Sequence, residues 1–408
     1  MKWSPQQQAA LDAVRAWLDG RDAGTERRQT FYLAGYAGSG KTTIAREFAE
    51  QSGLSVVFVA FTGKAALVLQ RKGCRDARTI HSLIYQPVIK SKATLLDLQE
   101  ELGDLPEGDV RRAKLEQAIQ DEKQRLKAPS FTRNEASTIV DWDLVICDEV
   151  SMVGEAMGQD LLSFGVPVLV LGDPAQLPPV KGGGHFTNKE PDFTLTEVHR
   201  QAVGSPVLKL ATEVRQGRTP NPGQYGSSKV VDKGVVQLDE AMAHDQIICG
   251  KNATRKAINR QVRRRLGRTS DLPQEGDRLV CLRNDKDKDG GGGILNGSFW
   301  TVLADPKLDS SGEVMTMVID DADCPGVPRI VTAWVHHFLG QGDELPWFRA
   351  RDHQEFDYGY AITCHKAQGS SWRGVLVYDE SWVFRKDRRK WLYTAITRAE
   401  EYVTVVCP

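Results

Sequence analysis

The sequence predicts an α/β protein with two parallel-sheet domains, a mostly helical insertion in the first and a small β-barrel insertion in the second. Three observations lead to this fold class. Strand-like and helix-like segments alternate over residues 31–84, an α/β pattern resumes near residue 204, and segments of different character interrupt both patterns. Short apolar strands that alternate with amphipathic helices are typical of a parallel sheet covered by helices on its faces.

The composition is that of an ordinary globular protein. The chain has 408 residues, of which 40% are hydrophobic and 26% charged, enough for two or more domains. A formal net charge of −1 gives no bulk signal for nucleic acid, so an anionic partner would have to meet local basic patches. Seven scattered cysteines without a C-x-x-C pair argue against a zinc site or disulfide framework. Without an apolar leader or long apolar run, we expect a cytoplasmic protein and no membrane partner.

The strongest local motif lies in the first α/β block. Residues 35–43, GYAGSGKTT, fit the phosphate-binding pattern G-x-x-x-x-G-K-[ST] between a predicted strand and a predicted helix. Glycines let successive backbone N–H groups wrap a polyphosphate, and the helix presents its positive end to the anion. Lys41 is expected to reach the β- and γ-phosphates, and the Thr42 hydroxyl to hold Mg²⁺. The predicted triphosphate loop comprises Gly35, Gly38, Ser39, Gly40, Lys41, Thr42 and Thr43.

Two further strands of this block end in polar residues. The apolar segments 143–149 and 166–173 are both predicted as buried strands of the parallel sheet, whose carboxyl ends carry the ligand site. Asp148 is placed to hold Mg²⁺ directly or through water, and Glu149 to polarise an attacking water as a general base. In GDPAQLPPV, after the second strand, the Gln176 amide can contact both water and the γ-phosphate.

Three other segments allow more than one interpretation. Residues 85–138 are polar and helix-favouring, which fits either a functional excursion from the sheet or a solvated helical hairpin. The basic helix over 253–267 is either a DNA-facing surface or a solvated face. Residues 285–290, DKDKDG, begin like a calcium loop, but the twelfth position is Asn296 rather than Glu. We therefore interpret them as an exposed acidic turn.

Eight motifs in order give a family resemblance. The series GYAGSGKTT, FTGKAA, TIHSL, DEVSM, GDPAQLPPV, LTEVHRQ, YAITCHKAQGS and LYTAITRA runs from residue 35 to residue 398. It resembles the motifs of superfamily 1 helicases, and most of all the 5′-to-3′ branch with RecD-type and phage Dda-type helicases. The resemblance implies ATP and Mg²⁺ as cofactors and travel along single-stranded DNA coupled to duplex unwinding.

The resemblance also implies a division into domains with two RecA-like motors. Relatives carry a strand-separating wedge where this chain has its first insertion, and the second insertion braces that wedge. The first motor would comprise 1–84 and 139–203, the wedge candidate 85–138, the second motor 204–274 and 351–408, and the barrel-like insertion 275–350.

Nucleotide-site residues can be assigned from the matching positions. Gln7 falls where a glutamine reads the adenine edge in relatives, although the adjacent Gln6 and Gln8 leave this register open. Gln368 and Gly369 match the motif that links the nucleotide cleft to the DNA track, and are counted with the cofactor-binding residues. Two arginines match those that reach the γ-phosphate from across the cleft. The catalytic set implied by the resemblance is Lys41, Glu149, Gln176, Arg200 and Arg398.

Three motifs supply candidate DNA contacts, because small hydroxyls, backbone amides and lysines there can hold phosphates. Phe61 stands where many relatives carry proline, and either stacks on a base or fills the core. His81 alone would more often be structural, and only its motif makes it a candidate. The candidates are Phe61, Thr62, Lys64, Thr79, His81, Ser82, Thr363, His365 and Lys366.

The expected partners are single-stranded DNA and forked or tailed duplex DNA, with replication or single-strand-binding proteins as further candidates, and the chain is expected to be a monomer. Two other functions stay open at this point. A DNA-stimulated ATPase that displaces bound proteins with little unwinding would carry the same motifs, as would a nucleotide-switched recruitment module. Steady ATP turnover stimulated by single-stranded DNA would exclude the second of these.

Overall fold

The chain forms two compact units, Met1–Thr79 with Val140–Pro408, and Ile80–Ile139. Arg200 and the acidic segment 285–290 lie outside the described residues. A computed structural model describes residues 3–20, 28–87, 93–127, 131–179, 184–197, 204–284, 293–342, 345, 349 and 352–408.

The first sheet is entirely parallel among its six described strands. Four of them fall on the apolar segments that the sequence predicted as strands, and β-branched residues in those segments suit a sheet that is covered on both faces. In spatial order the strands are β3 (Arg78–Thr79), β2 (Val56–Ala60), β6 (Leu144–Asp148), β7 (Val168–Gly172), β1 (Thr30–Gly35) and β8 (Phe193–Leu195).

Four helices surround this sheet: α1 (Pro5–Leu18), α2 (Lys41–Ser52), α3 (Gly63–Arg71) and α7 (Glu155–Leu162). The first begins at a capping box, in which the Ser4 hydroxyl accepts from the Gln7 N–H while the Gln7 side chain accepts from the Ser4 N–H. Trp17, Phe31 and Phe48 pack in the core between these helices and the sheet. Each long strand therefore ends at one edge, where the loops that lead into the helices begin.

The second sheet also has six strands, five of them parallel and β9 antiparallel at the edge. Its spatial order is β18 (Ala361–Thr363), β11 (Gln246–Cys249), β19 (Trp372–Tyr378), β20 (Ala399–Val406), β10 (Ser228–Val231) and β9 (Gly223–Tyr225). The accompanying helices are α8 (Pro206–Arg215), α9 (Leu238–Met242), α10 (Asn252–Arg265), α12 (Cys364–Ala367) and α13 (Arg388–Ile396).

A third, antiparallel sheet interrupts the second α/β block. Its spatial order is β14 (Lys307–Leu308), β15 (Val314–Asp321), β13 (Phe299–Val302), β12 (Arg278–Cys281) and β17 (Phe356–Tyr358), with β16 (Arg329–Trp334) paired to β15. A short helix, α11 (Val335–Leu339), follows β16. A single parallel bridge joins Ala333 to Gln354, just before β17. One bridge does not establish a closed barrel, so the predicted barrel is not confirmed.

The second unit is mostly helical, in line with the predicted insertion. It contains α4 (Ile80–Ile84), α5 (Ala93–Asp104) and α6 (Arg111–Lys127), together with an antiparallel ribbon of β4 (Tyr85–Pro87) and β5 (Phe131–Arg133). Leu95 and Ile119 are buried, whereas most other described side chains of α5 and α6 reach solvent. No helix in the described part of the chain is long and apolar enough to cross a bilayer.

Candidate active site

A cavity of about 440 Å³ lies at the carboxyl edge of the first sheet, where the loops after β1, β6 and β7 converge. Thirteen of its lining residues belong to the first α/β block and one, Arg398, to the second. The lining consists of Ala37, Gly38, Gly40, Lys41, Thr42, Thr43, Arg46, Lys72, Asp148, Glu149, Gly172, Asp173, Gln176 and Arg398.

The glycine-rich loop after β1 forms one wall. Gly38 and Gly40 have φ values of 78° and 84°, which residues with a Cβ atom rarely adopt. A Cβ atom on Gly35 would lie 2.5 Å from the Ser39 hydroxyl oxygen, so only glycine fits this tight turn. The Lys41 ammonium donates to the carbonyl oxygens of Gly35, at 2.5 Å, and of Tyr36, at 3.3 Å. It is thus held against the loop, where Lys41 lines the cavity.

The loop after β6 places two carboxylates beside the Thr42 hydroxyl. That hydroxyl donates to Asp148 Oδ2 at 2.8 Å, and the Glu149 N–H donates to Asp148 Oδ1 at 2.8 Å. Burial raises the pKa of Asp148, and the neighbouring Glu149 charge raises it further. Glu149 itself has a φ of 53°, a costly backbone conformation of the kind that clusters at functional sites.

The loop after β7 brings a further carboxylate and an amide. Asp173 is buried, and burial raises its pKa. The Tyr393 hydroxyl, from α13, donates to Asp173 Oδ2 at 2.6 Å and accepts from the Ala37 N–H at 2.9 Å. Gln176 is also buried, and its Oε1 atom has no hydrogen-bond partner among the described residues. A buried amide oxygen without a donor has capacity for a ligand or water.

Arg398 is the cation that the second sheet contributes to the cavity. Its Nε donates to the Thr394 carbonyl and its Nη1 to the Ser370 carbonyl, each at 3.1 Å. The Thr394 hydroxyl in turn accepts from the Leu177 N–H at 2.9 Å. The loop that carries Gln176 is therefore tied to the same helix as the arginine.

Gln368 and Gly369 do not line the cavity. The Gln368 side chain donates to the Leu177 carbonyl at 3.0 Å, next to Gln176. A Cβ atom on Gly369 would lie 3.2 Å from the Cβ of Ala65 in α3. Both residues thus join the second α/β block to the first without reaching the phosphate loop.

The three N-terminal glutamines occupy different places. Gln7 is buried and its Nε2 is 3.4 Å from the Ser39 carbonyl of the phosphate loop. Gln6 instead accepts from the N–H groups after β8, and Gln8 donates to Asp12. Only Gln7 contacts the phosphate loop, although neither Gln7 nor Ser39 lines the cavity itself.

The candidates at the start of α3 are engaged within the protein. The Thr62 hydroxyl caps the helix by accepting from the Ala65 N–H at 3.1 Å. Lys64 is 8% exposed, and its Nζ lies 3.4 Å from Asp323 and 4.5 Å from the centre of the Phe299 ring. Burial lowers the pKa of Lys64, and the Asp323 charge opposes that change. Lys64, which was expected to contact a DNA phosphate, is a buried cation that contacts Asp323 and Phe299 in this structure. Phe61, directly after β2, is half-buried.

Thr79 ends β3 in the first unit, while His81 and Ser82 lie in α4 of the second unit. The His81 ring packs 5.2 Å from the Tyr85 ring and 6.0 Å from the Phe131 ring, measured between centroids. Burial lowers the pKa of His81, which favours the neutral imidazole at neutral pH.

The candidates of the second sheet follow β18. Thr363 holds the N-cap position of α12. The His365 ring lies 5.5 Å from the Phe384 ring, and burial lowers the pKa of His365. Lys366 Nζ donates to Asn296 Oδ1 at 2.6 Å, and burial lowers its pKa as well.

The basic helix α10 divides into a structural and an exposed part. Arg255 pairs with Asp357 at 2.5 Å, and the buried Arg263 pairs with the fully buried Asp277 at 3.1 Å. Arg265 pairs with Asp239 at the surface. The exposed cations of the helix without an ion pair among the described residues are Lys256, Arg260 and Arg264.

Sequence reasoning assigned no role to several residues of this site. Asp173 follows β7 just as Asp148 follows β6, so its position was a usable signal. Tyr393 lies in the LYTAITRA motif, but nothing in its spacing indicates a bond to the phosphate loop. Arg46 and Lys72 also line the cavity, and the Arg46 guanidinium donates to the Lys72 carbonyl at 2.6 Å.

A fold of this kind, with a phosphate loop at the carboxyl edge of one parallel sheet and an arginine from a second, defines a P-loop nucleotide-binding protein. Residues 6–240, 235 of the 408, match the family described as AAA domain, and the chain belongs to this family. Residues 358–406 match the UvrD-like helicase C-terminal domain.

Two curated relatives are helicases. The chain is 27% identical to the ATP-dependent RecD2 DNA helicase of Deinococcus radiodurans over 413 residues, covering 90% of this chain and 46% of that protein. It is also 27% identical to the ATP-dependent DNA helicase dda of Enterobacteria phage T4, over 51% of this chain and 41% of that one. The chain thus spans less than half the length of these relatives.

Solved structures show the same fold. A Pif1 structure concerned with unwinding at forked double-stranded DNA has a TM-score of 0.53 at 17% identity, covering 99% of this chain and 92% of that one. Bacteroides Pif1 bound to single-stranded DNA has a TM-score of 0.51 at 18% identity, with the same coverage. Together these matches confirm the two-domain RecA-like fold and the resemblance to superfamily 1 helicases of the 5′-to-3′ branch.

Proposed function

We propose that this chain is an ATP-dependent DNA helicase that translocates on single-stranded DNA from 5′ to 3′ and couples ATP hydrolysis to duplex unwinding. The observation that carries this proposal is the shared cavity, in which Lys41, Asp148, Glu149 and Gln176 of the first sheet meet Arg398 of the second. A nucleotide held between two domains lets phosphate loss change how they close on each other. The names of the relatives support unwinding rather than protein displacement alone.

The phosphate loop would bind the triphosphate through its N–H groups and Lys41. The adjacent oxygens of Thr42 and Asp148, 2.8 Å apart, fit Mg²⁺, which prefers carboxylate, hydroxyl and phosphate oxygens. When bound, the ion supplies positive charge that neutralises the phosphate oxygens. The positive charge of the ion would also lower the pKa of Asp148 and so counteract the effect of burial.

Three groups would act on the terminal phosphate. Glu149 would orient and deprotonate the attacking water, and Gln176 Oε1 would accept from that water. Arg398 would stabilise charge on the transferred phosphoryl group, and we assign the same role to Arg200. Gln7, beside the phosphate loop, would read the adenine edge.

The two RecA-like motors and their insertions would divide as the motifs imply, with 85–138 as the strand-separating wedge. Single-stranded DNA would cross both motors along Phe61, Thr62, Lys64, Thr79, His81 and Ser82, and then Thr363, His365 and Lys366. Gln368 and Gly369 would link the nucleotide cleft to this path, since they contact the Gln176 loop and α3. Forked or tailed duplex would be unwound by a monomer, with single-strand-binding or replication proteins as further partners.

Lys41→Ala tests the nucleotide site. We expect ATP turnover to fall at least a hundredfold, the scale of losing one charge-stabilising donor, while binding to single-stranded DNA stays within a few-fold. Lys209→Ala, at an exposed position of α8, is the matched control and should hydrolyse ATP normally. Normal turnover by the Lys41 variant would refute the assignment.

Unwinding of duplexes with 5′ or 3′ single-stranded tails tests direction. We expect strand displacement from the 5′-tailed substrate only. Binding to single strands should weaken with salt, with a log–log slope of roughly −0.7 per neutralised phosphate. A flat salt response would exclude phosphate contacts as the main source of affinity.

A further inference from the structure

An exposed aromatic and basic segment follows β19 at the carboxyl edge of the second sheet. It forms the 3₁₀ helix Ser381–Asp387 and leads into α13. Trp382 is 55% exposed and Val383 39% exposed. A tryptophan side chain is usually well buried, and this one lies outside the nucleotide cavity. An indole exposed in this way is available to contact a ligand or a partner.

The charge of this segment is strongly positive. Residues 385–390, RKDRRK, hold five cations and one carboxylate. In the part of the chain that the structure describes, no carboxylate lies within ion-pair distance of these five cations. The nearby Glu380 is neutralised separately, since it accepts from the Lys251 N–H at 2.8 Å and pairs with Lys251 Nζ at 2.9 Å. It therefore adds little repulsion toward an anion.

Two contacts connect the segment to its surroundings. Lys251 Nζ lies 5.2 Å from the centre of the Trp382 ring, which places a cation beside the exposed indole. Phe384 stacks on Trp391 at 5.7 Å and also contacts the His365 ring at 5.5 Å. The segment is thus continuous with the residues after β18 that were predicted from the motifs to meet DNA.

We propose that Lys251, Trp382, Arg385 and Lys386 form a further contact site for single-stranded nucleic acid, here called the Trp382 surface. The indole would stack on a base, and the cations would hold backbone phosphates on either side. Stacking on aromatic side chains within a positively charged groove is the common mode of sequence-independent single-strand binding. This inference rests on the proposed translocation along a single strand, and adds a contact that the family motifs do not contain.

Charge favours nucleic acid over a protein partner at this surface. The cores of protein–protein interfaces are depleted of lysine and of charge in general, whereas this indole lies beside Lys251 and is followed in the chain by the five cations of residues 385–390, which have no ion-pair partner among the described residues. A polyanion satisfies those cations and the aromatic ring at the same time.

Trp382→Ala tests the stacking contact. We expect its dissociation constant for a fluorescein-labelled oligo(dT) of about 20 nucleotides, measured by anisotropy, to rise roughly 5- to 150-fold. Trp382→Phe retains an aromatic face and should restore most of the affinity. ATP turnover without DNA should stay at the wild-type level in both variants, because neither touches the cavity.

Arg385→Ala/Lys386→Ala tests the phosphate contacts. We expect the log–log salt slope of oligo(dT) binding to become shallower by about 1.4, twice the value for one phosphate contact. Lys233→Ala/Lys307→Ala removes the same charge from two exposed positions elsewhere, and should leave the slope within about 0.3 of the wild type. The charge variants keep the test valid if the Trp382→Ala variant fails to fold.

Wild-type affinity in Trp382→Ala, or a wild-type salt slope in the charge variant, would overturn the proposal and leave the surface to a protein partner. That result differs from failure of the proposed function, in which the wild-type chain itself would neither bind oligo(dT) nor turn over ATP faster with it.

Discussion

The Gln176 amide of the first sheet and the Arg398 guanidinium of the second differ in how fully they are hydrogen-bonded. In the first sheet, Gln176 Oε1 has no hydrogen-bond partner among the described residues, and the buried Asp148 carries a raised pKa. In the second, the Arg398 guanidinium donates to three oxygen atoms. The Tyr393 hydroxyl both donates to Asp173 and accepts from the Ala37 N–H. The first sheet thus keeps unused bonding capacity for a ligand, whereas the second fixes its groups beforehand. Groups fixed before the reaction stabilise charge at little reorganisation cost.

Replacing the cation from the second sheet should have the largest effect. Arg398→Lys keeps the charge but loses the guanidinium geometry held by Thr394 and Ser370. We expect DNA-stimulated kcat to fall about 10³-fold, since an inserted arginine is worth about 10³–10⁵ in phosphoryl transfer. Binding of a fluorescent ATP analogue should change only a few-fold.

Arg373→Lys is the matched control for this change, because Arg373 is a surface arginine of β19 paired with Glu401. It should keep wild-type kcat. A fall of less than tenfold in Arg398→Lys would mean that this arginine does not reach the phosphate, and the contrast between the sheets would lose its functional meaning.

Tyr393→Phe should have an intermediate effect and sharpen the comparison. It removes one hydroxyl that joins Asp173 to the Ala37 N–H, and so loosens the phosphate loop from α13. We expect kcat to fall about tenfold with KM for ATP within threefold, as hydrogen bonds to charged groups contribute about 1.5–3 kcal/mol.

Tyr225→Phe removes a surface hydroxyl whose one hydrogen bond among the described residues goes to the Asn221 carbonyl, and serves as the control. A rise in KM without loss of kcat in the Tyr393 variant would assign its hydroxyl to ground-state binding rather than to positioning.

The smallest expected effect concerns stability rather than turnover. Asp148→Asn should slightly change the free energy of unfolding of the nucleotide-free protein. Because the folded pKa of Asp148 is raised, the folded state binds its proton more tightly than the unfolded chain, and stability falls as pH rises through that range. Removing the buried charge should therefore raise Tm at pH 7, by roughly 1 °C for a chain of 408 residues if the gain is about 1 kcal/mol, while hydrolysis is lost.

The difference in Tm between this variant and the wild type should shrink as the pH is lowered, since the wild-type carboxyl then takes up its proton. A lower Tm for Asp148→Asn at pH 7 would show that its hydrogen bonds to Thr42 and Glu149 outweigh the cost of the buried charge.

The first sheet and its nucleotide loop were predictable because their signals are local. The spacing from Gly35 to Thr42, and the apolar runs that end at Asp148 and at Gly172, each specify a strand with the loop that follows it. Because these strands are parallel, the loops that follow them must all lie at the same edge of the sheet.

Contacts between distant parts of the chain were not predictable in this way. Lys64 meets Phe299 only because the third sheet packs on α3, and no local pattern reports that. The same holds for Arg263, whose partner Asp277 is set by the start of the third sheet. The third sheet also includes β17, which sequence reasoning did not identify because three residues of strand carry too little pattern.

The buried position of Lys64 offers a way to observe movement between α3, the second sheet and the third sheet. Its ammonium lies between α3, the Phe299 ring of the third sheet and the Trp372 ring of the second, at 4.5 and 5.4 Å from the two ring centres. An amine-reactive label must reach the nitrogen lone pair of the deprotonated amine, so the buried Lys64 should resist acylation while the three parts stay together. Any rearrangement that separates them would uncover it, and mass spectrometry of the labelled peptide would then record the opening.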